Sequence, residues 1–98
     1  MIIELIEKYK NEIMEYTLGD QRDEYDELYS NVYRYEWRGF KDRIKKDIYI
    51  LKPSQMKLTP EILTYLIINQ WRGVWCDEED LNIYKLRELS KIILEEMK

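Results

Sequence analysis

Four cations, Arg34, Arg38, Lys41 and Lys45, follow one another at steps of four, three and four. On a helix that spacing puts them on one side. The apolar stripe Tyr33, Trp37, Phe40 and Ile44 runs beside them, and Tyr35 lies close by. A basic ridge with interleaved aromatics, over residues 34 to 46, has the chemistry to follow a phosphate backbone while Tyr35 stacks on a base. RNA or single-stranded DNA binding is therefore one expectation. The plainer account is electrostatic. Asp20, Asp23, Glu24, Asp26 and Glu27 open the same periodic segment and the bases close it, the arrangement a helix dipole favours.

The second constellation is acidic. Asp23, Glu24, Tyr25, Asp26, Glu27 and Tyr29, with Tyr35 further on, mix carboxylates with tyrosines. As a solvated helix start they need no function, and this reading is the plainer one. As a surface they suit a basic partner, charge steering the encounter and tyrosine supplying contact area.

Much other chemistry is closed by absent residue types. With no His, neither a Ser-His nor a Cys-His dyad nor His-ligated zinc can be built. The single Cys76 can form neither an internal disulfide nor a multi-cysteine metal site, which fits a reducing, cytoplasmic setting. A glycine-rich phosphate loop, a Gly-x-Ser-x-Gly elbow and a calcium loop are all missing from the sequence. Asp77 to Asp80 are contiguous and splay around a helix rather than converge on an ion. The expectation is a protein with no catalytic centre, no metal and no cofactor. Carboxylates in the first seven residues argue against a signal peptide, and Ile62 to Ile68 is far shorter than the roughly 20 residues that span a bilayer.

The elements that must carry these residues are helical. Apolar groups at Ile2, Ile6, Tyr9, Ile13 and Tyr16 recur at helical spacing, and Gly19 ends that segment. A second periodic segment runs from Gln21 through Trp37, Phe40, Ile44 and Ile48 until Pro53 stops it, either as one helix or as two broken near Gly39. Thr59-Pro60-Glu61 supplies a cap, a first-turn proline and a first-turn acid for a helix to residue 72. Asp77 to Asp80 read as the cap and acidic first turn of a last helix carrying Ile83, Leu86, Leu89, Ile93 and Met97. A rival reading pairs Ile48 to Leu51 with Met56 to Leu58 as short strands. In a chain without Ala, helix contacts are expected to be wide and filled by Ile, Leu and Tyr.

Residues 27 to 52 also resemble residues 61 to 87. Trp37-Arg38-Gly39 aligns with Trp71-Arg72-Gly73 at an offset of 34, and Asp47 to Lys52 face Asn82 to Arg87 at 35. A tandem helix-turn-helix repeat inside one domain, residues 1 to 98, is the expectation. Trp37 and Trp71 then either close the core or serve as exposed anchors toward a partner or a second copy.

Charge is segregated along the chain. Residues 1 to 30 hold nine acids and three bases, residues 31 to 60 three and eight, and residues 61 to 98 eight and five, for a total of -4. In size and charge the chain resembles small acidic proteins that block nucleases, such as bacteriocin immunity proteins and phage inhibitors of CRISPR effectors. That likeness implies a non-enzymatic inhibitor occluding a basic site on a larger protein. The expected architecture is an all-α bundle of four to five helices, with nucleic-acid binding by a homodimer that joins two ridges, and a structural homo-oligomer, as alternatives.

Overall fold

A computed structural model describes residues 2–18, 30–51, 57–75 and 81–97. Five helices occupy them: α1 (Ile2–Lys8), α2 (Lys10–Leu18), α3 (Ser30–Leu51), α4 (Pro60–Trp75) and α5 (Ile83–Glu96). Among the described residues no strand occurs, so Ile48 to Leu51, the candidate strand, is the last turn of α3.

The first amphipathic stretch is nearly one rod. Tyr9 separates α1 from α2, yet its N–H donates to Leu5 O at 3.1 Å and its carbonyl accepts from Ile13 at 3.0 Å, preserving the helical pattern. Ile2, Ile6, Ile13 and Met14 are buried, while Tyr9 and Tyr16 pack at the margin. The other walls contribute Trp37, Phe40 and Ile44 from α3, Leu63 and Ile67 from α4, and Leu86, Leu89 and Ile93 from α5. These twelve residues form one cluster, and Trp37 and Phe40 stack within it at 5.0 Å between ring centroids. Helical periodicity and burial thus agree element by element.

Two helix starts show why local sequence sets their position. Thr59 caps α4, its Oγ1 accepting the Ile62 N–H at 3.2 Å, as the Thr-Pro-Glu signature requires. The last helix departs from expectation. Its cap is Asn82, whose Oδ1 accepts the Lys85 N–H at 3.1 Å, and its first turn contains no acid. Asn82 is also fixed from the other side, donating its own N–H to Tyr16 O near the end of α2 at 2.7 Å. One residue thereby satisfies a carbonyl at one helix end and an amide at another. Asp77 to Asp80 do not form the first turn of α5 and lie outside the described residues.

Of the two readings at Gly39 the unbroken one holds, since α3 is continuous from Ser30 to Leu51. The glycine answers to a side chain instead. A Cβ built on Gly39 would lie 3.0 Å from Arg43 Nη1. Arg43 runs past that position to α4, donating from Nε to Gln70 Oε1 at 3.1 Å and from Nη2 to Gln70 O at 3.0 Å. Gln70 Nε2 then donates to Asp47 Oδ2 at 2.6 Å, closing a bridge between α3 and α4. A tandem helix-turn-helix repeat is not shown: residues 30 to 51 form one helix, whereas the second segment contributes two, α4 and α5.

Packing without Ala is not uniformly bulky. At one contact of α4 with α5, Thr64 Oγ1 and the buried Ser90 Oγ are hydrogen-bonded at 2.9 Å. Thr64 also lies 2.7 Å from Pro60 O, and the buried Thr17 donates to Ile13 O at 2.7 Å. Small hydroxyl side chains fill positions where Ala is common, each with its polar atom satisfied.

Candidate functional site

The basic ridge can be followed from Arg38 onward. Arg34 and Tyr35 lie on the α3 backbone, but the structure does not describe their side chains. Arg38 and Lys45 are exposed, and Lys41 is half-buried. The ridge does not face open solvent alone, because α1 packs beside α3. Ile3, Glu4 and Glu7 from α1, with Arg38, Lys41, Asp42 and Lys45 from α3, line a groove of about 540 Å³. A second hollow of about 490 Å³ continues along α3, sharing Asp42 and Lys45 and adding Lys46, Tyr49 and Ile50.

Glu7 organises the groove. Its Oε2 accepts the Trp37 indole N–H at 2.5 Å and lies 3.1 Å from Lys41 Nζ. The indole hydrogen bond, with the Lys41 ammonium second, holds the Glu7 carboxyl below its ordinary value of 4.5. Lys10 Nζ sits 5.6 Å from the Trp37 ring centroid, placing a cation on the ring as well. Trp37 is only 3% exposed. Of the two roles open to Trp37-Arg38-Gly39, Trp37 therefore takes the core one, and it is not an anchor for a second copy. The corresponding side chains of Trp71 and Arg72 lie outside the described residues.

Elsewhere the acids are lowered and their partners raised. Glu96 is lowered by the Tyr9 hydroxyl and then by Lys8, and Glu61 is lowered chiefly by Arg87. Reciprocally, Glu96 raises both Lys8 and Tyr9, and Glu61 raises Arg87. Each shift deepens the charge the group already carries at neutral pH, or for Tyr9 its neutrality. Such pairs clamp helices, α1 to α5 through Lys8–Glu96 at 3.2 Å and α4 to α5 through Arg87–Glu61 at 2.6 Å. Among the described residues no group of three or more His, Cys, Asp or Glu could hold a metal ion, and no helix is long and apolar enough to cross a membrane.

Of the acidic constellation, Asp23, Glu24, Tyr25, Asp26, Glu27 and Tyr29 all lie outside the described residues. Sequence reasoning found Arg38, Lys41 and Lys45 but missed Glu7, which reads as one more solvent-facing acid between Ile6 and Tyr9. The missing signal is tertiary: nothing in α1 announces that its polar side meets α3. An all-helical bundle with a charge-balanced groove beside α3 is the class that fold and site define. Compared with known protein families, curated proteins and solved structures, the chain matches none.

Proposed function

We propose that this chain is a non-enzymatic protein-binding module that occludes a basic, nucleic-acid-binding site on a larger protein, as small acidic nuclease inhibitors do. One observation carries the reading over its rival. The cationic ridge is interleaved with acids of its own chain, Lys41 lying 3.1 Å from Glu7, and Glu4, Glu7 and Asp42 matching Arg38, Lys41 and Lys45 along the groove. A polyanion following α3 would meet as many carboxylates as cations there, which favours neither affinity nor a continuous track. With Glu4 and Glu7 matched to that ridge, residues 1 to 30 still hold seven acids against three bases, and this surplus is the charge left to select a partner. Asp23, Glu24, Tyr25, Asp26, Glu27, Tyr29 and Tyr35 form the contact surface in this reading, with no cofactor and a cytoplasmic location.

A tagged pull-down from native lysate, with and without nuclease and eluted in salt steps, tests it. The expected result is one stoichiometric protein that survives nuclease, elutes with salt, and is lost with Asp23→Lys together with Glu27→Lys. Recovery of nucleic acid that disappears on nuclease treatment, and on Arg38→Glu, overturns it in favour of the ridge.

A further inference from the structure

The outward faces of α3 and α5 carry matching patterns. On α3, Arg38, Asp42, Lys45 and Tyr49 follow at steps of four, three and four; on α5, Tyr84, Glu88, Lys91 and Glu95 follow at the same steps. All eight are exposed, Tyr49 at 74% and Tyr84 at 85%. At 100° per residue each quartet spans an arc of only about 60°, so each is a single stripe.

Laid antiparallel, the stripes are complementary at every position. Arg38 meets Glu95, Asp42 meets Lys91, Lys45 meets Glu88, and Tyr49 meets Tyr84. The axial offsets agree as well, about 6.0, 4.5 and 6.0 Å between successive members on both helices at the usual rise. Within one molecule these faces belong to separate helices, and α4 packs against both. Exposed Ile50 flanks the α3 stripe, and exposed Ile92 flanks the α5 stripe, adding apolar area to both sides.

We propose that the α3 stripe of one copy docks antiparallel on the α5 stripe of a second copy. Alternating charge sets the register, because sliding by one step places like charges together. The tyrosines supply an aromatic contact at one end. Because the two stripes are different surfaces on separate helices, the contact is heterologous and joins copies head-to-tail. The contact uses no residue of the 23–29 segment, so it stands or falls apart from the function proposed above. Trp37, buried in the core, takes no part in it.

Sedimentation velocity at rising protein concentration and low salt, on the full chain, tests the pairing. Wild type is expected to associate and to weaken as salt rises. Arg38→Glu with Lys45→Glu makes the α3 stripe uniformly acidic, and Glu88→Lys with Glu95→Lys makes the α5 stripe uniformly basic. Each double variant alone should lose association at least tenfold, and an equimolar mixture should regain it, since both cross-pairings are then attractive. If a double variant fails to fold, Asp42→Lys and Lys91→Asp in separate copies ask the same question with one substitution each. A wild type that stays monomeric at concentrations on the order of 1 mM, the range of the weakest specific contacts, overturns the proposal. So does an association indifferent to these exchanges, or folded variants whose mixture stays apart.

Discussion

Gly39→Ala separates the two explanations of the glycine. If it marked only a tolerated weakness in α3, alanine would stabilise the protein by about 0.8–1.0 kcal/mol, the helix-propensity difference. The structure adds an opposing effect. The new methyl would sit 3.0 Å from Arg43 Nη1, tighter than ordinary contact, while Nε and Nη2 of the same guanidinium are held on Gln70 at 3.1 and 3.0 Å. Giving way by a few tenths of an ångström lengthens two hydrogen bonds from a charged donor, each worth about 1.5–3 kcal/mol when well made. Losing about a fifth of the pair's combined strength, about 0.6–1.2 kcal/mol, offsets the helical gain, so the single substitution is expected to change stability by less than about 0.5 kcal/mol. With Arg43→Met in place, the guanidinium is gone and the full gain should return. The cycle should therefore show about 0.5–1 kcal/mol of coupling, within the range for contacting residues. Urea unfolding read at constant slope measures each corner, and in a domain of this size 1 kcal/mol moves the melting temperature by roughly 4–8 °C. Strict additivity, with Gly39→Ala fully stabilising in wild type, would refute the claim that Arg43 is why the glycine is there.

Two further outcomes follow from the same contacts. Because the folded Glu7 carboxyl titrates below 4.5, its stabilisation is complete above that value and is lost as pH falls through the folded value. Glu7→Gln should therefore be less stable than wild type at pH 7, with a deficit that shrinks as pH falls below 4.5, measured by urea unfolding across that range; a deficit independent of pH would show that the carboxylate's charge is not involved. Asn82→Ala should cost about 1 kcal/mol, typical of a lost cap, and protection of the Lys85 amide against hydrogen exchange should fall, whereas Asn82→Asp should be nearly neutral.

How much of this was readable in the sequence divides along a physical line. The start of α4 was legible because Thr59, Pro60 and Glu61 act within one turn, and the buried faces were legible because a 3.6-residue period needs no knowledge of the partner helix. Whether Gly39 breaks the helix was not legible, because the group that explains the glycine reaches Gln70, 27 residues away from Arg43 in sequence. The start of α5 was misplaced for a similar reason. Asp77 to Asp80 are chemically sound caps, but Asn82 is tied to Tyr16 O on α2, a contact invisible from the local pattern. Expected site residues divide the same way. Arg38, Lys41 and Lys45 were found because they share one helix, and Glu7 was missed because it comes from another.

Segregated charge in the sequence therefore does two different things once the chain folds. Where an acidic stretch packs against a basic one, as α1 does on α3, opposite charges are brought together, and Glu7 with Lys41 becomes a clamp between the two helices. Where charges alternate along an exposed helix face, as on α3 from Arg38 to Tyr49 and on α5 from Tyr84 to Glu95, nearby charges largely cancel at long range. Such a stripe steers little, yet it discriminates register strongly at contact, because a slip of one step replaces attraction by repulsion. Under the two proposals above, net charge and local pattern select different partners. The surplus of the first thirty residues favours a basic partner from a distance, while the two alternating stripes are specific only for a surface with the reverse order, and α3 and α5 of this chain supply that order to each other.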